Sequence, residues 1–337
     1  MNKPLVSVIT ATYNLFEADR IKFFEQCVAS VSSQSHPLIE HIIVDGASTD
    51  GTSSMIAKCA QERGLRFICE PDAGIFYAMN KGARAATGKY VAFLNSDDFW
   101  HDENAVALSV EALESKGSVF SYAPSFTLDR EFPVQKVYTS IGSFFMRMPF
   151  CHQTMFVRRD SFVQFGMFDE NNFRSAADFH LIQRLCAAGC SFSFIPECFT
   201  SYRHGGFSAT DIETSENECI RSIFLIFKDI EPSFTANEAY ILFHKKIIRE
   251  DIYNKMASQV APELKHCMDG LSKERVGADH IKLNDYAYSY PLPWKEAGPR
   301  WLRERVTLSI NGWAFARRNT YCDRVEISLF DPPSSAS

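Results

Sequence analysis

The chain reads as an α/β protein with a mainly parallel sheet flanked by helices. Three observations predict this. Apolar, largely β-branched runs recur at 6–10, 40–44, 66–69 and 90–94. The segments between them carry apolar residues at helical spacing, so strand and helix alternate, the order that makes parallel sheets with crossover helices. Most of the runs end in acidic or small polar residues, as they do where a parallel sheet presents a ligand site at the carboxyl ends of its strands.

Residues 6–10, Val-Ser-Val-Ile-Thr, form the first strand by β-branched content. Ile21, Phe24, Val28 and Val31 then mark a helix over 20–33. A second strand spans 40–44, and Thr49-Asp50-Gly51-Thr52 opens a helix reaching about Arg63, with Asp50 as its cap. A short third strand covers 66–69. The helix over 75–86 is closed by Gly88, and the fourth strand, 90–94, ends at Ser96-Asp97-Asp98. Further on, the pattern predicts a helix over 103–114, a strand at 119–122 and a hairpin within 125–137. A strand at 152–157, a short helix at 159–165, a helix over 176–188 ended by Gly189 and a strand at 190–195 follow. Helices over 218–227 and 237–265 interleave aromatic with basic residues. Prolines and tyrosines crowd 277–299, and 306–330 carries strand-like patches. We therefore divide the chain into a catalytic domain, 1–212, a helical extension, 213–276, and an irregular arm with a short β segment, 277–337. That last part covers the first domain, pairs with another copy, or begins a further domain.

The chain has 337 residues with 46% hydrophobic content, enough for a sizeable core, and length alone allows about two domains or one with an extension. A net charge of −6 argues against a general nucleic-acid binder. Ten cysteines without CxxC pairing read as reduced thiols of a cytoplasmic protein, with no zinc spacing. The N-terminal apolar stretch is too short and β-branched for a secretory signal, and no run approaches the roughly 18 apolar residues of a membrane span. The 237–265 stretch either packs on its own domain or lies on the inner face of the plasma membrane. Trp294, Trp301 and Trp313, close to Arg300, Arg303 and Arg305, would suit a homo-oligomer contact.

The chemistry concentrates at the strand ends. Asp97 and Asp98 are adjacent carboxylates that repel one another, and a divalent cation against a diphosphate compensates that repulsion. Asp45 follows the second strand in a polar turn, as a ligand acceptor or as a turn-former. Gly74 in Asp72-Ala73-Gly74 permits close backbone approach. Asp178 begins an amphipathic helix, as a cap or as a base.

VSVITATYN, IIVDGASTDGT, EPDAGIFYAMNKG and YVAFLNSDD, in this order, resemble the family-2 glycosyltransferases of GT-A fold, a bacterial group that builds surface polysaccharides. The similarity runs from about residue 4 to 208. The nearest subgroup carries DxGIYxAMNKG and FLNSDD; this chain has Phe76 where that subgroup has Tyr, and Asn95 where many members have Asp. The resemblance implies an inverting transfer of a hexose or N-acetylhexosamine from a UDP-sugar to a saccharide or lipid-linked acceptor. It implies that Asp45 accepts from uracil N3–H and that Thr10, Ala11 and Tyr13 line the base pocket. Asp72, Asn80, Lys81, Ser96 and Asp97 would bind the donor. Asp98, with Asp97, would hold Mn²⁺ or Mg²⁺, and His204 is either a further ligand or a diphosphate contact. Arg203 is a phosphate candidate. Asp178 would be the base, with His152 and Gln153 on the acceptor side. Two other readings stay open: an inactive sugar-nucleotide-binding scaffold, and a nucleotidyltransferase, although the glycine-rich loop expected after the first strand is replaced by Thr10-Ala11-Thr12-Tyr13-Asn14.

Overall fold

The computed structural model describes residues 3–129, 132–137, 139–203, 205, 211–271 and 275–277. Strands β1 (Val6–Thr12), β2 (Ile39–Asp45), β3 (Arg66–Cys69) and β4 (Tyr90–Phe93) alternate with helices α1 (Ile21–Ser32), α2 (Thr52–Arg63) and α3 (Ile75–Ala85). The chain continues through β5 (Phe99–Trp100), α4 (Ala105–Lys116), β6 (Phe120–Tyr122), β7 (Ser125–Asp129), β8 (Phe132–Val137), β9 (Phe156–Arg158), α5 (Arg159–Gln164), α6 (Ala177–Ala187), β10 (Phe192–Phe194) and β11 (Thr200–Arg203). Helices α7 (Ile212–Ile230), α8 (Ala236–Lys245), α9 (Glu250–Gln259) and α10 (Pro262–Leu271) follow, with short strands β12 (Ile248–Arg249) and β13 (Arg275–Val276).

The main sheet has the order β10-β6-β9-β4-β1-β2-β3. It is parallel except for β9, which runs antiparallel to both β4 and β6. A second sheet, β5-β11-β7-β8, carries the expected β7–β8 hairpin. β1 and β4 are buried along their whole length, which is why their sequences are nearly continuous apolar runs without alternation. α3 lies tight on the sheet because of Gly82, where a Cβ would come 2.5 Å from Ile9 Cγ2 and 3.1 Å from Val44 Cγ2.

Three local expectations are corrected. α3 ends at Ala85 with Ala86 extended, and Gly88 does not cap it; it passes β1 so closely that a Cβ would sit 2.6 Å from Ser7 Oγ. Residues His152–Thr154 form a 3₁₀ turn rather than strand, closed by the Thr154 N–H and hydroxyl on Cys151 O at 3.0 and 2.8 Å. The helix expected over 237–265 breaks at Lys246 (φ 59°), passes through β12 and restarts as α9 and α10.

The helices after residue 211 share one hydrophobic cluster with the sheet layer. Ile220, Ile223, Phe227, Tyr253, Leu264 and Met268 pack with Phe144, Phe145, Phe179 and Leu185. Gly142 makes this contact close, because a Cβ there would be 2.6 Å from the Cys267 carbonyl carbon. No helix among the described residues is long and apolar enough to cross a membrane. The tryptophan-rich arm and strand-like tail expected over 278–337 lie outside the described residues.

Candidate active site

The carboxyl ends of β1 to β4 and the start of α6 bring most of the expected residues together. Asp45, the last residue of β2, is wholly buried and saturated. Its carboxylate accepts from Thr12 Oγ1 (3.0 Å), Ser48 N (2.8 Å), Ser48 Oγ (2.7 Å) and Ser53 Oγ (2.5 Å). Those four donors match the roughly four lone-pair sites of a carboxylate. In this conformation Asp45 organises the turn, and a base N–H would have to displace one of them. Thr10 is likewise turned inward, 3.0 Å from His41 Nε2, and Ala11 is buried, so both can reach a ligand only through their backbone.

Tyr13 is the exposed member of that group, 61% open to solvent. Its ring and the Asp72 carboxylate converge over Gly46: a Cβ there would be 3.2 Å from Tyr13 Cδ2 and 3.0 Å from Asp72 Oδ2. Asp72 Oδ1 accepts from Gly74 N at 3.1 Å, whereas Oδ2 is buried without a hydrogen-bond partner. Burial raises the Asp72 carboxyl above its usual range. Tyr13, Gly46 and Asp72 thus pack in mutual contact, with one buried carboxylate oxygen that makes no hydrogen bond among the described residues.

Two of the expected donor-side residues spend their polar atoms on neighbouring backbone and side chains in this conformation. Asn80 is buried, and its amide bridges α3 to the 168–170 loop, Nδ2 to Phe168 O (2.8 Å) and Glu170 Oε2 (2.5 Å), with Oδ1 accepting from Phe168 N (3.2 Å). Lys81 spends its ammonium on Glu70 O and Pro71 O at 3.1 and 2.7 Å, pinning the end of β3 behind Asp72. Both shape the site from outside it. Phe76 is buried against Phe168 (centroids 5.1 Å apart), so exchanging a tyrosine for phenylalanine removes no hydroxyl from the cleft.

The two adjacent carboxylates have different fates. Ser96 is buried beside them at the strand end. Asp98 is fully buried; Oδ1 accepts from Arg203 N (2.8 Å), and Oδ2 from Gln153 Nε2 (2.6 Å) and Asn95 Nδ2 (3.2 Å). Burial, and then the Asp97 charge, push its carboxyl well up, and these donors oppose that. In this conformation Asp98 anchors β11 and the 152–154 turn to the end of β4. Asp97 is the partly open one, with Oδ2 paired to Arg20 at 2.9 Å. Asn95 points its amide nitrogen at Asp98 and leaves Oδ1 buried without a partner. A carboxylate and a spare amide oxygen are hard donors of the kind Mg²⁺ and Mn²⁺ take alongside substrate phosphate. His204 lies outside the described residues. Arg203 is no phosphate contact: it is buried, donates to Asp97 O and Gln26 Oε1, and stacks 4.2 Å from the Phe23 centroid.

Asp178 stands in the first turn of α6. Its Oδ1 accepts from Phe179 N (2.8 Å), and its Oδ2 lies 2.8 Å from His152 Nδ1. Ahead of the helix, the Glu218 carboxylate of α7 accepts from the N–H groups of Arg174 (2.8 Å), Ser175 (2.7 Å) and Ala176 (2.9 Å) and holds the lead-in turn. Gln153 is buried, its Nε2 donating to Asp98 and its Oε1 accepting from Cys151 Sγ, so only His152 of the expected acceptor-side pair stays beside Asp178. These neighbouring residues therefore tie two centres together: His152 holds Asp178 and Gln153 holds Asp98.

Sequence reasoning missed Arg20, which pairs with Asp97, and Glu218. Neither carries a local signal, since each partner is dozens of residues away in the chain.

Comparison with known proteins bears on this arrangement. The description "Glycosyl transferase family 2" matches residues 7–166. The Bacillus subtilis protein named putative teichuronic acid biosynthesis glycosyltransferase TuaG is 29% identical over 68% of this chain and 89% of its own. The chain also matches three Rickettsia glycosyltransferases, spanning less than a fifth of their length. Residues 1–349 of S. aureus TarS, in complex with UDP-GlcNAc, superpose with a TM-score of 0.54 at 16% identity, covering 79% of each chain. The mannosyltransferase PcManGT from Pyrobaculum calidifontis, in complex with GDP-Man and Mn²⁺, gives 0.53 at 17% identity, covering 95% of this chain and 82% of its own. These two likenesses show the GT-A fold. Residues 7–166, with their parallel sheet and carboxylate-bearing strand ends, match glycosyl transferase family 2, and the chain is a glycosyltransferase.

Proposed function

We propose that the protein moves a hexose or N-acetylhexosamine from a UDP-sugar to a saccharide or lipid-linked acceptor with inversion at C1, in surface-polysaccharide synthesis. The observation that carries this reading is the coupling of two carboxylate centres through adjacent residues, His152 to Asp178 and Gln153 to Asp98. One centre borders the place for the diphosphate; the other is a base for the acceptor. The UDP-sugar bound by the TarS neighbour supports the donor class, and the teichuronic acid relative supports the product class.

In this reading Tyr13 and Asp72, which meet over Gly46, take the nucleoside. Asp97, with the Asn95 amide oxygen, would hold Mn²⁺ or Mg²⁺, which as a Lewis acid stabilises the leaving diphosphate. Arg20 exchanges its pairing with Asp97 for the donor's phosphate charge. Asp178 accepts the proton of the attacking hydroxyl as the new C1–O bond forms and the C1–O(phosphate) bond breaks on the opposite face.

A thermal-shift panel of UDP, GDP, dTDP and CDP with and without Mn²⁺ tests this, because a ligand that binds only the folded state raises Tm by mass action. We expect stabilisation by UDP that requires Mn²⁺ and is lost in Asp97→Ala. Asp178→Asn should keep that stabilisation and lose sugar transfer. Indifference to every nucleotide would favour a scaffold protein instead.

A further inference from the structure

We propose that His152 is the positioning residue of the base: its Nδ1–H is donated to Asp178 and presents one edge of that carboxylate to the acceptor. This rests on the reading of Asp178 as the base. Nδ1 lies 2.8 Å from Asp178 Oδ2, and both side chains are mostly buried, 13% and 14% exposed.

A carboxylate beside an imidazole allows two divisions of labour. In one, the carboxylate orients the ring and the far nitrogen takes the proton. In the other, the ring orients the carboxylate. The far nitrogen decides between them. Nε2 is buried and has no hydrogen-bond partner among the described residues. An ionised carboxylate can only accept, so the proton at this contact sits on Nδ1, the ring nitrogen that faces Asp178.

The other titratable groups around the pair are consistent with this. Cys151 precedes His152, and Cys219 faces Asp178 from α7; burial pushes both thiols well up, so they stay protonated and uncharged. His180 on α6 is buried against Phe173, and burial holds it down at about 4, so it too is neutral. Arg184 on the same helix donates to the Phe165 and Met167 carbonyls. Glu218 is held by the three N–H groups ahead of α6. With Oδ2 on His152 and Oδ1 on Phe179 N, the carboxylate cannot rotate, and its remaining lone pairs point in one direction.

A donor to an ionised carboxylate favours that form, so losing it raises the carboxyl pKa. The test is the pH dependence of UDP release from UDP-glucose or UDP-N-acetylglucosamine with Mn²⁺, water serving as acceptor. In His152→Ala the acidic limb should move up by about one pH unit and the plateau rate fall about tenfold. In His152→Asn, whose amide nitrogen can stand where Nδ1 stood, the limb should return toward the native position. An unmoved limb in His152→Ala, or equal displacement in both variants, overturns the proposal. If Asp178→Asn keeps full activity, the reading of Asp178 as base has failed; if it is inactive while the His152→Ala limb stays put, only this inference has. A readout independent of activity is the ¹⁵N spectrum of the His152 ring: a proton on Nδ1 supports it, and an Nε2–H tautomer with bare Nδ1 refutes it.

Discussion

Replacing Glu218 by Ala should weaken the protein and its chemistry together, although Glu218 contributes no atom to the cleft. Its carboxylate occupies the N–H groups of Arg174, Ser175 and Ala176, the three residues that lead into α6. Arg174 is exposed, so water can replace that bond. Ser175 and Ala176 are partly or fully covered, and losing a charged acceptor from each costs about 1 kcal/mol. The expected destabilisation is about 2 kcal/mol, lowering Tm by about 4 °C in a chain of this size. Asp178 rides on the freed turn, so the transfer rate should fall about tenfold with the donor KM unchanged, since misplacing a reacting group by a fraction of an ångström carries that order of cost. Glu218→Gln keeps a carbonyl that can serve Ser175 and Ala176 as Oε2 does now, and should lose about half as much. Scanning fluorimetry, urea unfolding and amide exchange over residues 174–180 measure the two variants. Native Tm and native exchange in Glu218→Ala would refute the role of Glu218 in holding that turn.

Two further predictions concern the fold. Burial lowers His41 to about 3, and burial followed by Arg184 lowers His180 to about 4, both below the unfolded value near 6.5. The unfolded chain therefore binds protons first as pH falls, and stability declines from about pH 6.5 downward by roughly 1.4 kcal/mol per unit for each histidine. Urea unfolding at pH 7 and pH 5 should show this decline, reduced by about half in His41→Asn; an identical slope in that variant would contradict it. Gly82→Ala should cost about 1–3 kcal/mol, because its Cβ meets Ile9 at 2.5 Å, while Gly270→Ala in α10 meets nothing within 4 Å and should be neutral or mildly stabilising. Equal Tm values for these two variants would show that α3 can withdraw from the sheet.

The strands and helices up to β4 are legible because each is a local pattern with its own period. Tyr90–Phe93 is apolar throughout, and Val6–Thr12 carries only small hydroxyl residues among its apolar ones, because both faces of each strand are covered. Elements held by remote partners are not legible. His152–Thr154 looks β-forming but turns, since Gln153 is drawn to Asp98, 55 residues away. The 237–265 segment has helical periodicity throughout, yet it breaks at Lys246 where β12 pairs with β13.

The site divides along the same line. Residue type and spacing determined that carboxylates stand at the ends of β2 and β4 and at the start of α6, because strand ends and helix starts are local features. Which carboxylate faces the cleft was decided by tertiary contacts. Asp97 and Asp98 are adjacent and chemically identical, and they differ only because Arg203, Gln153 and Asn95 converge on one and Arg20 reaches the other. Asn80 and Lys81 sit in a legible motif, but the 168–170 loop and the end of β3 take their polar atoms. A side chain's type sets what it can bind. Its ligand-facing role depends on which of its polar atoms the fold leaves unused, and those partners come from distant parts of the chain.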